Sequence, residues 1–390
     1  MKKSIISLII MITVISMGTV QAAKIYRAQP NKTIKLRKGA KYAQVHAGDI
    51  NNDGKKDILV CIYPKKKFDK DGEFIGYEYK GSVDAFYQKG GRFSLKPNLV
   101  FPSEHSPRGA IIKDIDGDGK NDIAYNDDKK RLYLCYAKKK FKPIEYSDTN
   151  MRASDLLDVD LNSALSDKLS ASFLGRAVWW RVLKNGNVKQ TYIARPPYND
   201  SGFPAAGDLD DDGETDLVYS ERKRLLIYYG PFTPASIVKP EMLADHSILE
   251  ISRGEGYIQQ VCIGDYNADR RMDIACNVGK AGVLFLHQNA PQGFSEKISA
   301  EIKGDFWRIE SADVNNDKLQ DIIAIDSNCS AIRIFLQKKG GGFVTESKDA
   351  DQVIKINKAY DILLSDINGD AKKDLVVVNT KGTIMVFYAR

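Results

Sequence analysis

A short acidic pattern recurs along the chain and constrains its fold more than any other feature. Asp49-Ile-Asn51-Asn-Asp53-Gly-Lys55-Lys-Asp57 is the first copy, with side-chain oxygens at positions 1, 3, 5 and 9. The spacing returns from Asp114, Asp208, Asp265, Asp313 and Asp366. A degenerate copy starts at Asp158; Asp160 and Asn162 are in place, but its last acid, Asp167, comes one residue late. The seven starts lie about 53 residues apart on average and cover residues 42–390. A period of roughly 40–50 residues holding several short strands is the signature of a β-propeller. Length alone, at 390 residues, would suggest two or three domains. The repeat overrules that and predicts one all-β body over residues 23–390: a seven-bladed β-propeller with four-stranded antiparallel blades.

Each copy is a set of hard ligands. Oxygens at positions 1, 3, 5 and 9, with the backbone carbonyl of position 7, suit a cation of calcium size. The predicted ligands are Asp49, Asn51, Asp53, Lys55 and Asp57 in loop 1, and Asp114, Asp116, Asp118, Lys120 and Asp122 in loop 2. Loop 4 offers Asp208, Asp210, Asp212, Glu214 and Asp216, and loop 5 offers Asp265, Asn267, Asp269, Arg271 and Asp273. Loop 6 offers Asp313, Asn315, Asp317, Leu319 and Asp321, and loop 7 offers Asp366, Asn368, Asp370, Lys372 and Asp374. Lys55, Lys120, Glu214, Arg271, Leu319 and Lys372 stand at position 7 and would contribute only their carbonyls. Gly54, Gly119 and Gly213 at position 6 allow the sharp turn; Arg270, Lys318 and Ala371 replace glycine there at a cost of about 1 kcal/mol. Three strong calcium sites are expected, up to six in all, with loop 3 empty. An Asp/Asn-rich turn without metal is the alternative.

The pattern is not an EF-hand. Position 12 is Val60, Tyr125, Tyr219, Cys276, Ala324 or Val377, never the bidentate glutamate. Short apolar runs such as Ile58-Leu-Val and Leu375-Val-Val-Val follow, which read as buried strands. Position 2 is apolar in all six copies and is read as a plug into the core. One repeat is then strand, acidic loop, strand, turn, strand, turn, strand, as in Ile258–Gly264, Ile274–Val278, Val283–His287 and Phe294–Ile302. Too few strands follow the last loop, so Lys24–Leu36 is expected to supply the outer strand of the last blade and remove the open edge.

The first 22 residues read as a signal peptide: Lys2 and Lys3, an apolar run from Ile5 to Met17, then small residues at Val20 and Ala22. The mature chain is expected to begin at Ala23 and to be exported, to the periplasm or beyond, without a transmembrane span and as a monomer. Five cysteines without a Cys-x-x-Cys pair or a Cys/His cluster offer neither a disulfide framework nor a zinc site. Cys262 and Cys276 should sit nearly opposite on neighbouring strands, either bonded or as buried thiols.

The acidic loops, with their apolar tenth position, resemble the VCBS and FG-GAP repeats of bacterial secreted proteins and the calcium-loop propeller of integrin α-subunits. Val178-Trp179-Trp180 before Asn185-Gly186-Asn187 is similar to the third strand and hairpin of a VCBS blade. The Phe-Gly and Gly-Ala-Pro pieces that name the FG-GAP repeat are not legible. The resemblance implies calcium in the loops.

Ligand binding is expected on the face opposite those loops, where second-to-third-strand turns and inter-blade links lie. That face should hold Lys65, Lys66, Lys67, Tyr77 and Tyr79 on the longest insertion, His105 with Arg108, Lys129, Lys130 and Arg131, Tyr198, Arg222, Lys223 and Arg224, and Trp307. The formal charge of +7 falls to +5 without Lys2 and Lys3, yet 20 of the 51 acids are loop ligands. With six calcium ions the charge would be +17, a field suited to anionic polymers. No nucleic-acid motif is present. The expected function is a binding or adhesion module for a glycan, an envelope polymer or a protein. The alternatives are a polysaccharide-active enzyme, most plainly a lyase using His105 and Arg108, and a scaffold without a ligand.

Overall fold

The computed structural model describes residues 24–37, 40–129, 131–147, 152–157, 170–174, 176–182, 188–194, 205–232, 246–250, 256–294 and 297–390. The signal segment, Lys130, Tyr198, Asn185–Asn187 and the acids of loop 3 lie outside them. Among the described residues no helix is long and apolar enough to cross a membrane.

The acidic loops are hairpin turns, and that sets the whole plan. In loop 1 eight residues separate the inner strand Ala43–Gly48 from the second strand Asp57–Ile62, and Gly48 pairs directly with Asp57. The same eight-residue turn joins Pro107–Lys113 to Asp122–Asp127, Ala205–Gly207 to Asp216–Glu221, and Gln260–Gly264 to Asp273–Asn277. It also joins Phe306–Ala312 to Asp321–Asp326 and Ala359–Ser365 to Asp374–Asn379. Position 9 is therefore always the first residue of the second strand. Two further strands complete each four-stranded antiparallel sheet.

The expectation of a seven-bladed propeller has to be corrected: the structure shows six blades on this plan, not seven. A further four-stranded sheet, Arg152–Leu157, Ser170–Leu174, Arg176–Val182 and Val188–Ala194, departs from it. Its first two strands are joined by the twelve residues 158–169 rather than eight. The physical reason is legible in loop 3: with Asp167 a residue late, no carboxylate stands where the second strand must begin.

Closure follows the expected route. Lys32–Lys35 pairs antiparallel with Thr383–Phe387, Ile34 opposite Ile384, and becomes the outer strand of the last blade. Just before it, Tyr26 is fully buried and its hydroxyl donates to the Lys373 carbonyl at 2.6 Å.

The core lies between blades rather than in a single centre. Ile58, Val60, Ile367, Val376 and Val378 fill the space between the first and last blades, and Leu209, Val218, Ile274 and Cys276 the space between those of loops 4 and 5. The position-2 plugs Ile50, Ile115, Leu209, Tyr266, Val314 and Ile367 are all buried, as their apolarity predicts. Blade 5 is trimmed relative to expectation: its outer strand is only Ala300–Ile302, because Gln288–Ala290 and Gly293–Phe294 form a separate small hairpin. Cys262 and Cys276 are free thiols. They occupy different inter-blade clusters, on opposite faces of their sheet, which precludes a bond.

Candidate functional site

The acidic loops are organised by their own carboxylates. Asp114 Oδ1 accepts from the Asp118 amide at 3.1 Å and its Oδ2 from the Gly119 amide at 2.8 Å. Position 1 holds positions 5 and 6 in this way in all six loops, as with Asp366, Asp370 and Ala371. Position 9 works differently: it ties the loop to the blade. Asp57 Oδ2 accepts from Ile50 N at 3.0 Å and its Oδ1 from Gln88 N, beyond the third strand, at 2.7 Å. Asp122, Asp216, Asp273, Asp321 and Asp374 repeat both bonds. Burial pushes Asp57, Asp216 and Asp273 up to about 6 and Asp321 to about 7.

Position 3 divides the loops into two kinds. In loops 1, 5, 6 and 7 an asparagine donates its amide to the position-5 carboxylate, at 3.3, 3.1, 2.9 and 3.1 Å. Loops 2 and 4 have Asp116 and Asp210 instead. Asp116 Oδ1 and Asp210 Oδ1 are buried without a hydrogen-bond partner among the described residues. Oxygens of Asp114, Asp116 and Asp122, and likewise of Asp208, Asp210 and Asp216, converge within 4.8 Å of one another. Like charges this close repel unless a cation neutralises them. Lys138 Nζ, 2.6 Å from Asp116 Oδ2, offsets part of that charge in loop 2. The donor set fits a hard divalent cation, with orphaned oxygens left for it.

The opposite face is built from the other ends of the strands. The insertion after the second strand of blade 1 is a hairpin, Lys65–Phe68 with Phe74–Tyr79. Phe68, Phe74 and Ile75 are exposed at its tip, and Phe74 packs on Tyr77 with ring centroids 5.1 Å apart. Lys66 and Lys67 are exposed, Lys65 pairs with Glu78, and the Tyr79 hydroxyl accepts from Lys41 N. Arg131 is held by Asp127, with Nε and Nη2 at 2.8 and 2.5 Å from Oδ2, so it supports its turn rather than facing outward. Lys129, Arg222 and Lys223 are exposed and Arg224 half-buried. His105 and Arg108 do not converge: His105 Nδ1 lies 3.8 Å from Asp128, while Arg108 lies over the Tyr63 ring at 4.7 Å.

Where the inner strands begin, five blades enclose a pocket of about 310 Å³. The blade of loop 1 contributes Gln44 and Tyr63, that of loop 2 Arg108, that of loop 5 Gln259 and Gln260, that of loop 6 Trp307 and Arg308, and that of loop 7 Tyr360. Of these, sequence reasoning named only Arg108 and Trp307. The others stand one each in separate repeats, and only ring closure brings them together. Arg308 is committed to the fold: its Nη1 is 2.5 Å from Asp361 Oδ1, while Asp361 Oδ2 accepts from Val45 N at 2.8 Å. His46 is kept neutral, its imidazole pushed down to about 4 by burial and by Arg308.

Fold and loops together define a β-propeller whose blades turn on acidic hairpins. The family model for the FG-GAP-like repeat matches residues 313–377, the sixth loop through the second strand of the seventh. No curated protein matches. Among solved structures, the chain is similar to BBS1N in its complex with ARL6DN, at 12% identity and a TM-score of 0.58, over 94% of this chain and 97% of that one. It is also similar to virginiamycin B lyase from Staphylococcus aureus, at 9% identity and a TM-score of 0.55, over 92% and 98%. The WD40 β-propeller domain of Doa1 matches at 9% identity and a TM-score of 0.53, over 93% and 96%. At these identities the likeness is one of fold.

Proposed function

We propose that the chain is an exported, calcium-stabilised propeller that binds an acidic glycan or envelope polymer through the face opposite its acidic loops. The observation that carries this reading is the chemical division of the two faces. On one, carboxylates converge in loops stitched to their neighbours; Asn121, for example, donates to the Asp49 carbonyl at 2.8 Å. On the other, Lys66, Lys67, Lys129, Arg222 and Lys223 are exposed on turns after second strands, and a pocket lined by Tyr63, Trp307 and Tyr360 with Arg108 lies where inner strands begin. The orphaned oxygens of Asp116 and Asp210 favour calcium in loops 2 and 4 first. The resemblance to VCBS and integrin α-subunit propellers supports the same metal. Calcium bound there cancels acids on one face and leaves the basic face to set the long-range field.

The test is binding to a panel of acidic polysaccharides across salt concentrations, with calcium present. Affinity should fall steeply as salt rises. Reversing Arg222, Lys223 and Arg224 to glutamate should abolish most of it. Lys89, Arg92 and Lys96, exposed beyond the third strand of blade 1 on the acidic-loop side, provide the control reversal. Equal losses from both triple variants would reduce the effect to diffuse charge, and no binding at low salt would remove the reading.

A further inference from the structure

We propose that the axial pocket is a subsite for a sugar acid, with Arg108 pairing its carboxylate, Gln44 accepting from a ring hydroxyl, and Trp307 and Tyr360 stacking on its apolar face. This deepens the reading of the basic face and rests on it.

Two unpaired polar groups point to a ligand. Arg108 is half-buried and has no carboxylate partner among the described residues; its Nε–H is buried without an acceptor. Its contacts are the face of the Tyr63 ring and a long 3.4 Å approach to the Tyr63 hydroxyl. A cation–π contact offsets only part of the cost of desolvating a guanidinium. Gln44 is 5% exposed, and its Oε1 is likewise buried with no donor. A buried donor and a buried acceptor without partners, on two residues that line one cavity, are costly unless something satisfies them. The missing partner must therefore bring an anionic acceptor and a hydroxyl donor together.

The rest of the wall selects the body that carries them. Trp307 is 44% exposed, and its indole N–H donates to the Tyr360 carbonyl at 3.1 Å, which fixes the ring at the rim. Tyr360 lies 6.2 Å from Trp307 and 5.1 Å from exposed Tyr42, centroid to centroid. Trp307 and Tyr360 give the pocket an apolar side, with Tyr63 beneath the Arg108 guanidinium and Tyr42 packed behind Tyr360 outside the lining. A volume of about 310 Å³ stands at the small end of ligand pockets and suits one sugar ring rather than several. Guanidinium geometry favours bidentate carboxylate, and the apolar side favours the C–H face of a pyranose. The same chemistry is offered by a free sugar acid and by a terminal uronate of an acidic glycan.

Calorimetry on the full calcium-loaded chain decides this. The probes are galacturonate, glucuronate, galactose, glucose, inorganic phosphate and an oligogalacturonate. The uronates should bind saturably, at least about tenfold more tightly than the neutral sugars or phosphate. Arg108→Gln should remove that preference, and Arg108→Lys, which keeps the charge but loses the fork, should remove most of it, both at an unchanged melting temperature. Trp307→Ala should weaken acid and neutral sugars alike. Binding of the oligomer as well as the monomers identifies a glycan end; monomers alone identify a free acid. Equal binding of acid and neutral sugars, tighter phosphate, or wild-type uronate affinity in folded Arg108 variants overturns the proposal. If no uronate binds but the polymers do, and Arg222, Lys223 and Arg224 carry that binding, the subsite is wrong and the face reading stands. If neither binds, both fall.

Discussion

Each acidic loop turns on two residues with left-handed backbone, at positions 4 and 6. Gly54, Gly119 and Gly213 take φ of 82°, 84° and 86° at position 6, and Arg270, Lys318 and Ala371 take 71°, 70° and 66° in the same place. Position 4 does likewise through Asn52, Gly117, Asp211, Ala268, Asn316 and Gly369. An L-residue pays about 1–2 kcal/mol for that conformation, less for Asn and Asp. Ala371 is exposed and loses only a methyl group on replacement. Ala371→Gly should therefore stabilise the calcium-bound chain, and Gly119→Ala destabilise it, each by about 1 kcal/mol in a urea titration. A left-handed loop of no energetic consequence would leave both midpoints unmoved.

Position 9 makes the loops sensitive to protons. Burial raises Asp57, Asp216, Asp273 and Asp321 from the ordinary 3.8 to about 6, 6, 6 and 7 in the metal-free chain. A raised folded-state value means that folding takes up protons. The stability these groups contribute is present below about pH 4 and is lost as pH rises through about 6–7. A cation must displace those protons. The rise in melting temperature on adding calcium should be larger at about pH 7.5 than at about pH 5, by scanning calorimetry in calcium and in chelator. An increment independent of pH would contradict proton–metal competition at position 9.

At the scale of the element, the hairpin turn, its plug and the closing strand carry the argument. Ile34 sits in the closing strand, 2% exposed, among Val45, Ile384 and Val386. If closure is part of the cooperative fold, Ile34→Ala should cost about 2–4 kcal/mol by denaturant midpoint, as for a core residue. A loss near zero would make the segment a loose tail. Plugs, second strands and closure were legible because period-2 strands and a fixed turn length leave little freedom. The left-handed position 4 was not, because Asn, Asp, Gly and Ala all occur there. Arg131 looked like ligand-facing charge because Asp127, its partner, is also a charged residue near a turn; the sequence cannot say which of the two faces inward. The small hairpin after Leu286 was absorbed into an outer strand, since Phe294 and Ile302 both fit strand chemistry.

At the scale of the molecule, ring closure does what no local pattern can announce. Gln44, Arg108, Gln260, Trp307 and Tyr360 lie up to 316 residues apart and meet at one pocket. Each alone reads as an ordinary residue at the start of a strand, first or second in it. The acidic belt is the reverse case: every loop is recognisable alone, and the ring only repeats it. Position 3 separates loops that satisfy themselves, through an asparagine amide, from the two that leave a buried carboxylate oxygen open. The account thus rests on calcium in loops 2 and 4. Isothermal titration of calcium into the chelator-stripped chain tests it most directly. Two saturable sites should appear, at roughly 10⁻⁴–10⁻³ M or tighter, each lost on replacing Asp116 or Asp210 with Asn, with a matching loss of the calcium-induced rise in melting temperature. No heat of binding, or an isotherm and melting curve indifferent to both substitutions, would contradict it.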